Sequence, residues 1–103
     1  MAKTPEGRVK DAIKAWLKAQ GAWYFMPVPS GFGVHGIPDF ICCIQGRFVA
    51  IEAKAPGKRK STTSNQDDRI AEIIEAGGYA IVVDDVAQLK PLEVYFADPS
   101  PQA

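Results

Sequence analysis

The chain of 103 residues has little cysteine, a single histidine and no net charge. Its two cysteines, Cys42 and Cys43, are adjacent and cannot staple a loop. That excludes a disulfide-built secreted scaffold and a cysteine-based zinc site. No apolar run approaches the ~18–20 residues a membrane helix needs. The N-terminal stretch MAKTPEGRVK lacks the apolar segment of a secretion signal. These absences point to a soluble protein of a reducing compartment, with no membrane partner. With 47% hydrophobic and 23% charged residues, a packed globular core is expected rather than disorder. One domain is expected over residues 1–97, burying roughly two-thirds of the unfolded surface, followed by a flexible tail over 98–103.

The balanced charge conceals a segregation. Residues 1–60 carry ten Lys/Arg and four Asp/Glu, and residues 61–103 carry two and eight, which gives +6 and −6. This asymmetry suggests one basic and one acidic face, or simply two solvated surfaces.

Thr4-Pro5 opens a helix, with Thr as the cap and Pro at the first helical position. Val9, Ile13, Trp16 and Leu17 then follow the spacing of one buried face, and Gly21 closes the helix. Lys10, Lys14 and Lys18 recur every four residues and read as a solvent face. Residues 22–28 (AWYFMPV) read as a strand, with Pro27 near its end. The glycine-rich segment 30–36 is a loop. Two apolar runs, 38–44 and 47–54, are joined by Gln45-Gly46, a hairpin signal. The segment 55–61 (APGKRKS) is a basic loop. A second helix starts near Thr63 or Ser64, with Ile70, Ile73 and Ile74 as its core stripe, and Gly77-Gly78 ends it. Residues 79–83 (YAIVV) form a short central strand. Residues 84–90 suggest a helical turn, and 92–96 fit either strand or helix.

The hairpin permits a calculation. With a two-residue turn, Ile44 faces Arg47 and facing residues sum to 91, so Asp39 lies opposite Glu52. A loop of odd length would break this register. Side chains alternate along a strand, so Glu52 and Lys54 share a face. Opposed residues have Cβ atoms only ~4.5–5.5 Å apart. Two carboxylates and an ammonium therefore converge at one end of two otherwise apolar strands. Ile41, Cys43, Phe48 and Ala50 share the face of the acids; Phe40, Cys42, Ile44, Val49 and Ile51 occupy the other. Both faces read as covered, with both cysteines as small core residues. Opposed carboxylates there repel and are costly to desolvate. Either a hard cation such as Mg²⁺ or Mn²⁺ compensates them, or the strand ends reach solvent with Lys54 bridging both acids. Glu6 falls in step with Val9, Ile13 and Leu17, facing the sheet; an acid in a helix's first turn is also favoured by the helix dipole.

Gly36-Ile37-Pro38-Asp39, followed thirteen residues after Asp39 by Glu52-Ala53-Lys54, resembles the PD-(D/E)xK nuclease signature. Within that superfamily the chain most resembles the VRR-NUC group of virus-type replication and repair nucleases, and more distantly the archaeal Holliday-junction resolvases. The likeness runs from Glu6 to about Val83 and includes Gln66 early in the second helix. PD…ExK alone is a weak motif; in this order, with matching elements, it is strong. The resemblance implies an α/β fold with a restriction-endonuclease-like core, α-β-β-β-α-β, its mixed central sheet flanked by helices. It implies a metal-dependent endonuclease acting on structured DNA, Holliday junctions included, in the cytoplasm of a bacterial or phage-infected cell. Asp39, Glu52 and the backbone carbonyl of Ala53 would hold Mg²⁺ or Mn²⁺, with Glu6 assisting. Lys54 would activate water and stabilise charge on the phosphate, and Gln66 would position Lys54 or the water.

Other residues carry two readings each. Gln66 also fits a capping box with Thr63. Lys58, Arg59 and Lys60 form a solvated loop or grip a phosphate backbone. Ser30 and His35 belong to a loop that could face DNA. A homodimer is expected, because symmetric cutting of a four-way junction needs two centres related by a two-fold axis. Leu89, Leu92, Val94, Tyr95 and Phe96 offer one surface for it and Trp23-Tyr24-Phe25 another; the first segment could instead pack on its own sheet. The alternatives to an autonomous enzyme are a non-catalytic nucleic-acid-binding module and a nuclease subunit targeted by a partner.

Overall fold

The structure is a computed structural model, described here over residues 3–28 and 33–97. Ser30 and the expected tail over 98–103 lie outside the described residues. Thr4 caps the first helix, α1 (Pro5–Ala19), through a hydrogen bond from the Gly7 amide. Val9, Ile13 and Leu17 are its buried residues, one stripe at helical spacing. Trp16 is half-buried and donates from Nε1 to Glu93 at 3.0 Å.

Four strands follow the order β1-β2-β3-β4 across one sheet: β1 (Trp23–Phe25), β2 (Phe40–Ile44), β3 (Arg47–Ala53) and β4 (Tyr79–Val83). The first three are antiparallel and β4 is parallel to β3. The α2 helix (Ser64–Glu75) supplies the crossover between β3 and β4. A 3₁₀ turn (Val86–Leu89) leads into α3 (Lys90–Ala97). This is the expected α/β order, with a C-terminal helix where strand or helix was open. Leu89, Leu92 and Phe96 are buried at helical spacing in the same core as α1, so they are not free for a dimer.

The hairpin has the calculated register, Ile44 opposite Arg47 and Phe40 opposite Ile51. Gln45 and Gly46 both have positive φ, 51° and 77°, the geometry that matches the twist of a two-residue hairpin. Phe40, Cys42, Ile44, Val49 and Ile51 are buried and pack in the core with Val9, Ile13 and Leu17.

Several expectations change. Tyr79–Val83 is an edge strand, because no described strand pairs beyond it. None of the residues of α2 is fully buried, and Ile74 is 55% exposed. The helix packs on β4 at the rim of the sheet, so only part of its stripe is covered. The rest of that sheet face stays open: Cys43 is exposed, as are Phe48, Trp23 and Phe25. Only one face of the hairpin is therefore closed throughout. The first strand is three residues long rather than seven, with alternating exposure. The basic and acidic halves also meet rather than separate: Gly57 donates to Asp84 at 3.0 Å and Arg59 to the Val82 carbonyl at 2.7 Å.

Candidate active site

The register brings Asp39 and Glu52 together where the hairpin opens. The Asp39 amide donates to Glu52 Oε1 at 3.2 Å, and the Ala53 amide donates to Asp39 Oδ2 at 2.9 Å. Each carboxylate is thus fixed by the backbone beside the other. Glu52 is the one buried charged residue among the described residues, at 4% exposure. Burial pushes its carboxyl up to about 7, and the neighbouring Asp39 pushes the same way.

Lys54 reaches the pair from the same strand face, its Nζ 3.6 Å from Glu52 Oε2. It also donates to Gln66 Oε1 at 3.0 Å. Gln66 Nε2 donates to Glu52 Oε2 at 3.0 Å. The same Gln66 completes the capping box of α2: its Oε1 accepts from the Thr63 amide at 3.0 Å, and its own amide donates to Thr63 Oγ1 at 3.2 Å. Gln66 thus makes the cap contacts with Thr63 and the contacts with Lys54 and Glu52 at the same time. Its place at the third helical position holds the amide where Glu52 and Lys54 end.

Glu6 is half-exposed and meets the site through Lys10 rather than directly. Lys10 Nζ lies 3.2 Å from Glu6 Oε2 and 3.7 Å from Asp39 Oδ1. Burial works to lower the Lys10 pKa, but Asp39, Glu6 and Glu52 together outweigh it and raise it. The sequence placed Lys10 on a solvent face and missed this role. The signal was present: Lys10 stands four residues after Glu6, which already faced the sheet. Lys14 by contrast lies 3.9 Å from Asp11, an exposed pair.

A cleft of about 520 Å³ opens beside the acids, lined on its polar side by Lys10, His35, Asp39, Glu52 and Gln66. Met26, Val28, Val34 and Ile37 form an apolar side. His35 is exposed, and its carbonyl accepts from Arg69 Nη1 at 3.4 Å. Lys58, Arg59 and Lys60 are exposed on the loop after β3. Of these, Arg59 is tied down through Nε to Val82, a contact the sequence did not indicate.

Among the described residues, no group of three or more His, Cys, Asp or Glu side chains stands ready to hold a metal on side chains alone. The donor set still suits a hard cation. Glu6 and Asp39 stand against Lys10 and Lys54, and the desolvated Glu52 adds a third carboxylate whose ionised form a cation would stabilise. Two carboxylates complemented by a carbonyl and water are what a hard divalent ion takes.

No protein-family profile matches the chain, and no curated protein does. A solved structure titled "VRR_NUC domain" superposes with a TM-score of 0.76 at 23% identity, covering 91% of this chain and 99% of that one. The chain has the fold of a VRR_NUC domain.

Proposed function

We propose that the chain is a nuclease that hydrolyses phosphodiester bonds in structured DNA with Mg²⁺ or Mn²⁺, four-way junctions included, in replication or repair. The observation that carries this reading is the closed network Asp39–Glu52–Gln66–Lys54 at the wall of an open cleft. A buried carboxylate set beside a second, partly exposed one contributes nothing to folding that apolar side chains would not exceed. The fold shared with a VRR_NUC domain supports the same class of reaction.

Asp39, Glu52 and the Ala53 carbonyl would hold the cation. When bound, such an ion lowers the pKa of water and neutralises charge on the phosphate. Gln66 fixes the Lys54 ammonium, which is then aimed without reorganisation at negative charge developing on the phosphoryl oxygens. Glu6 holds Lys10 beside Asp39 and completes the charge balance. Lys58 and Lys60 are free to contact the phosphate backbone, with Arg59 shaping the loop. His35 lines the cleft and, with Ser30 five residues before it in the sequence, would contact the substrate. Two copies act together as a homodimer in the cytoplasm. The exposed Trp23, Phe25 and Phe48 supply the apolar contact surface, since Leu89, Leu92 and Phe96 of the C-terminal segment are buried and leave Val94 and Tyr95 as the exposed large apolar side chains there.

Purified protein is incubated with four-way junction, flap, duplex and single-stranded DNA in Mg²⁺, Mn²⁺ or EDTA. Cutting of branched substrates in either metal and none in EDTA is expected. Binding without cutting in every condition would favour a non-catalytic module and end the proposal. Sedimentation at micromolar concentration reads the dimer, and a strict monomer that makes paired symmetric cuts contradicts it.

A further inference from the structure

The loop that delivers Asp39 and the helix that delivers Gln66 meet at Gly36. Gly36 has φ +84°, and a Cβ on it would lie 2.4 Å from the carbonyl carbon and oxygen of Asn65 and 2.6 Å from the Gln66 nitrogen. All three atoms are backbone in the first turn of α2 and cannot rotate aside. One turn later, Arg69 donates from Nη1 to the His35 carbonyl at 3.4 Å and from Nη2 to Glu72 at 2.8 Å. The loop is thus held to α2 by backbone packing and by a polar tie. Pro38, between Gly36 and Asp39, is buried, so the loop has little room to yield.

We propose that Gly36 is a positioning residue, supported by Arg69: its bare Cα lets α2 approach until Gln66 bonds Glu52 and Lys54 together. This rests on the nuclease reading. Relieving a 2.4 Å contact requires a shift of about an ångström, since ordinary contacts begin at 3.4 Å. The 3.0 Å bonds from Gln66 to Glu52 and Lys54 do not survive such a shift. Misplacement by ~1 Å costs on the order of 100-fold in rate.

Gly21 separates this role from backbone strain. It has φ +68°, and nothing lies within 4 Å of its Cβ position. Gly21→Ala therefore carries the left-handed strain alone. Single-turnover cleavage is measured for Gly36→Ala, Gly21→Ala, Gln66→Ala and the double variant Gly36→Ala/Gln66→Ala. The Gln66 side-chain amide is followed by nitrogen-15 NMR in metal-free protein. Gly36→Ala is expected to lose about 100-fold in rate with little change in DNA Kd. Gly21→Ala should cleave normally. The double variant should be no slower than Gln66→Ala, because the first loss acts through the second residue. The Gln66 amide should shift in Gly36→Ala and not in Gly21→Ala. Losses that multiply in the double variant, or an unmoved amide, overturn the proposal. If Gly36→Ala does not fold, Arg69→Met substitutes for it, with a loss of about 10-fold that again vanishes on Gln66→Ala; a multiplicative loss overturns the proposal there too. Should the wild type cut no DNA, the nuclease reading falls, and the amide comparison alone decides whether Gly36 sets Gln66.

Discussion

At one end of the β2–β3 hairpin the chain turns through Gln45 and Gly46; at the other, Asp39 and Glu52 face each other across the same ladder. The turn end needs only local conformation and ordinary packing. Ile44 is buried, Arg47 stacks its guanidinium 4.2 Å over the Tyr95 ring, and positive φ at both turn residues fits the strand twist. The open end is different. It buries a carboxylate, sets a second beside it, and recruits side chains from α1, β3 and the start of α2. Folding accounts for the turn end. The open end holds unfavourable charge in place by backbone hydrogen bonds, which is how sites store chemistry rather than stability.

Asp39→Asn should separate the two ends by the widest margin. It keeps an oxygen to accept from the Ala53 amide and removes one of the repelling charges. Cleavage should fall by about 10³-fold or more, while metal-free protein melts no lower than wild type. A variant that cuts as well as wild type removes the site from the reaction. The buried partner, Glu52, gives a pH dependence. Glu52 has a carboxyl raised by burial to about 7, above its ordinary 4.5. The native state then binds more protons than the unfolded one between those values, so stability falls as pH rises through that window. Thermal melts in EDTA should drop from pH 5 to pH 8, and Glu52→Gln should flatten that drop.

Lys54→Met comes next. It keeps the stem and removes the ammonium, so single-turnover rates should fall by about 10²–10³-fold. Unchanged rates would leave Lys54 as a mere counter-charge to Glu52. Gln66→Ala should then show two losses together, ~1 kcal/mol of stability from the cap and a strong loss of rate from the site. Thr63→Ala removes the Oγ1 side of the cap alone. It should cost ~1 kcal/mol with rates close to wild type. Rate losses that simply track melting temperature in both variants would reduce Gln66 to a cap.

Much of the open end was legible in the sequence because its geometry follows from counting. A two-residue turn and a period of two leave no freedom for Asp39, Glu52 and Lys54. What escaped depends on contacts between distant segments. Lys10 read as solvated because its neighbours Lys14 and Lys18 are; only the packing of α1 turns it to Asp39. Cys43 and Phe48 read as covered because α2 could have crossed the whole face, whereas it stays over β4. The C-terminal helix was readable in principle, since Leu89, Leu92 and Phe96 are spaced three and four apart. Gln66 was given two alternative roles because sequence could not show one amide serving the cap and the acids together.

The turn end supplies the smallest and cleanest contrast. Gln45 holds φ 51°, which Asn tolerates better. Gln45→Asn should raise stability by a few tenths of a kcal/mol, on the order of other local turn effects. It should leave cleavage untouched; a change in rate would mean that the two ends are coupled through the ladder.

Calorimetric titration of the metal-free protein with Mn²⁺ tests whether the open end is built around a divalent cation. Wild type should bind one ion per chain at the hairpin site, and Asp39→Asn should lose that binding while remaining folded. Equal Mn²⁺ binding by both proteins, or none by wild type, would contradict the account.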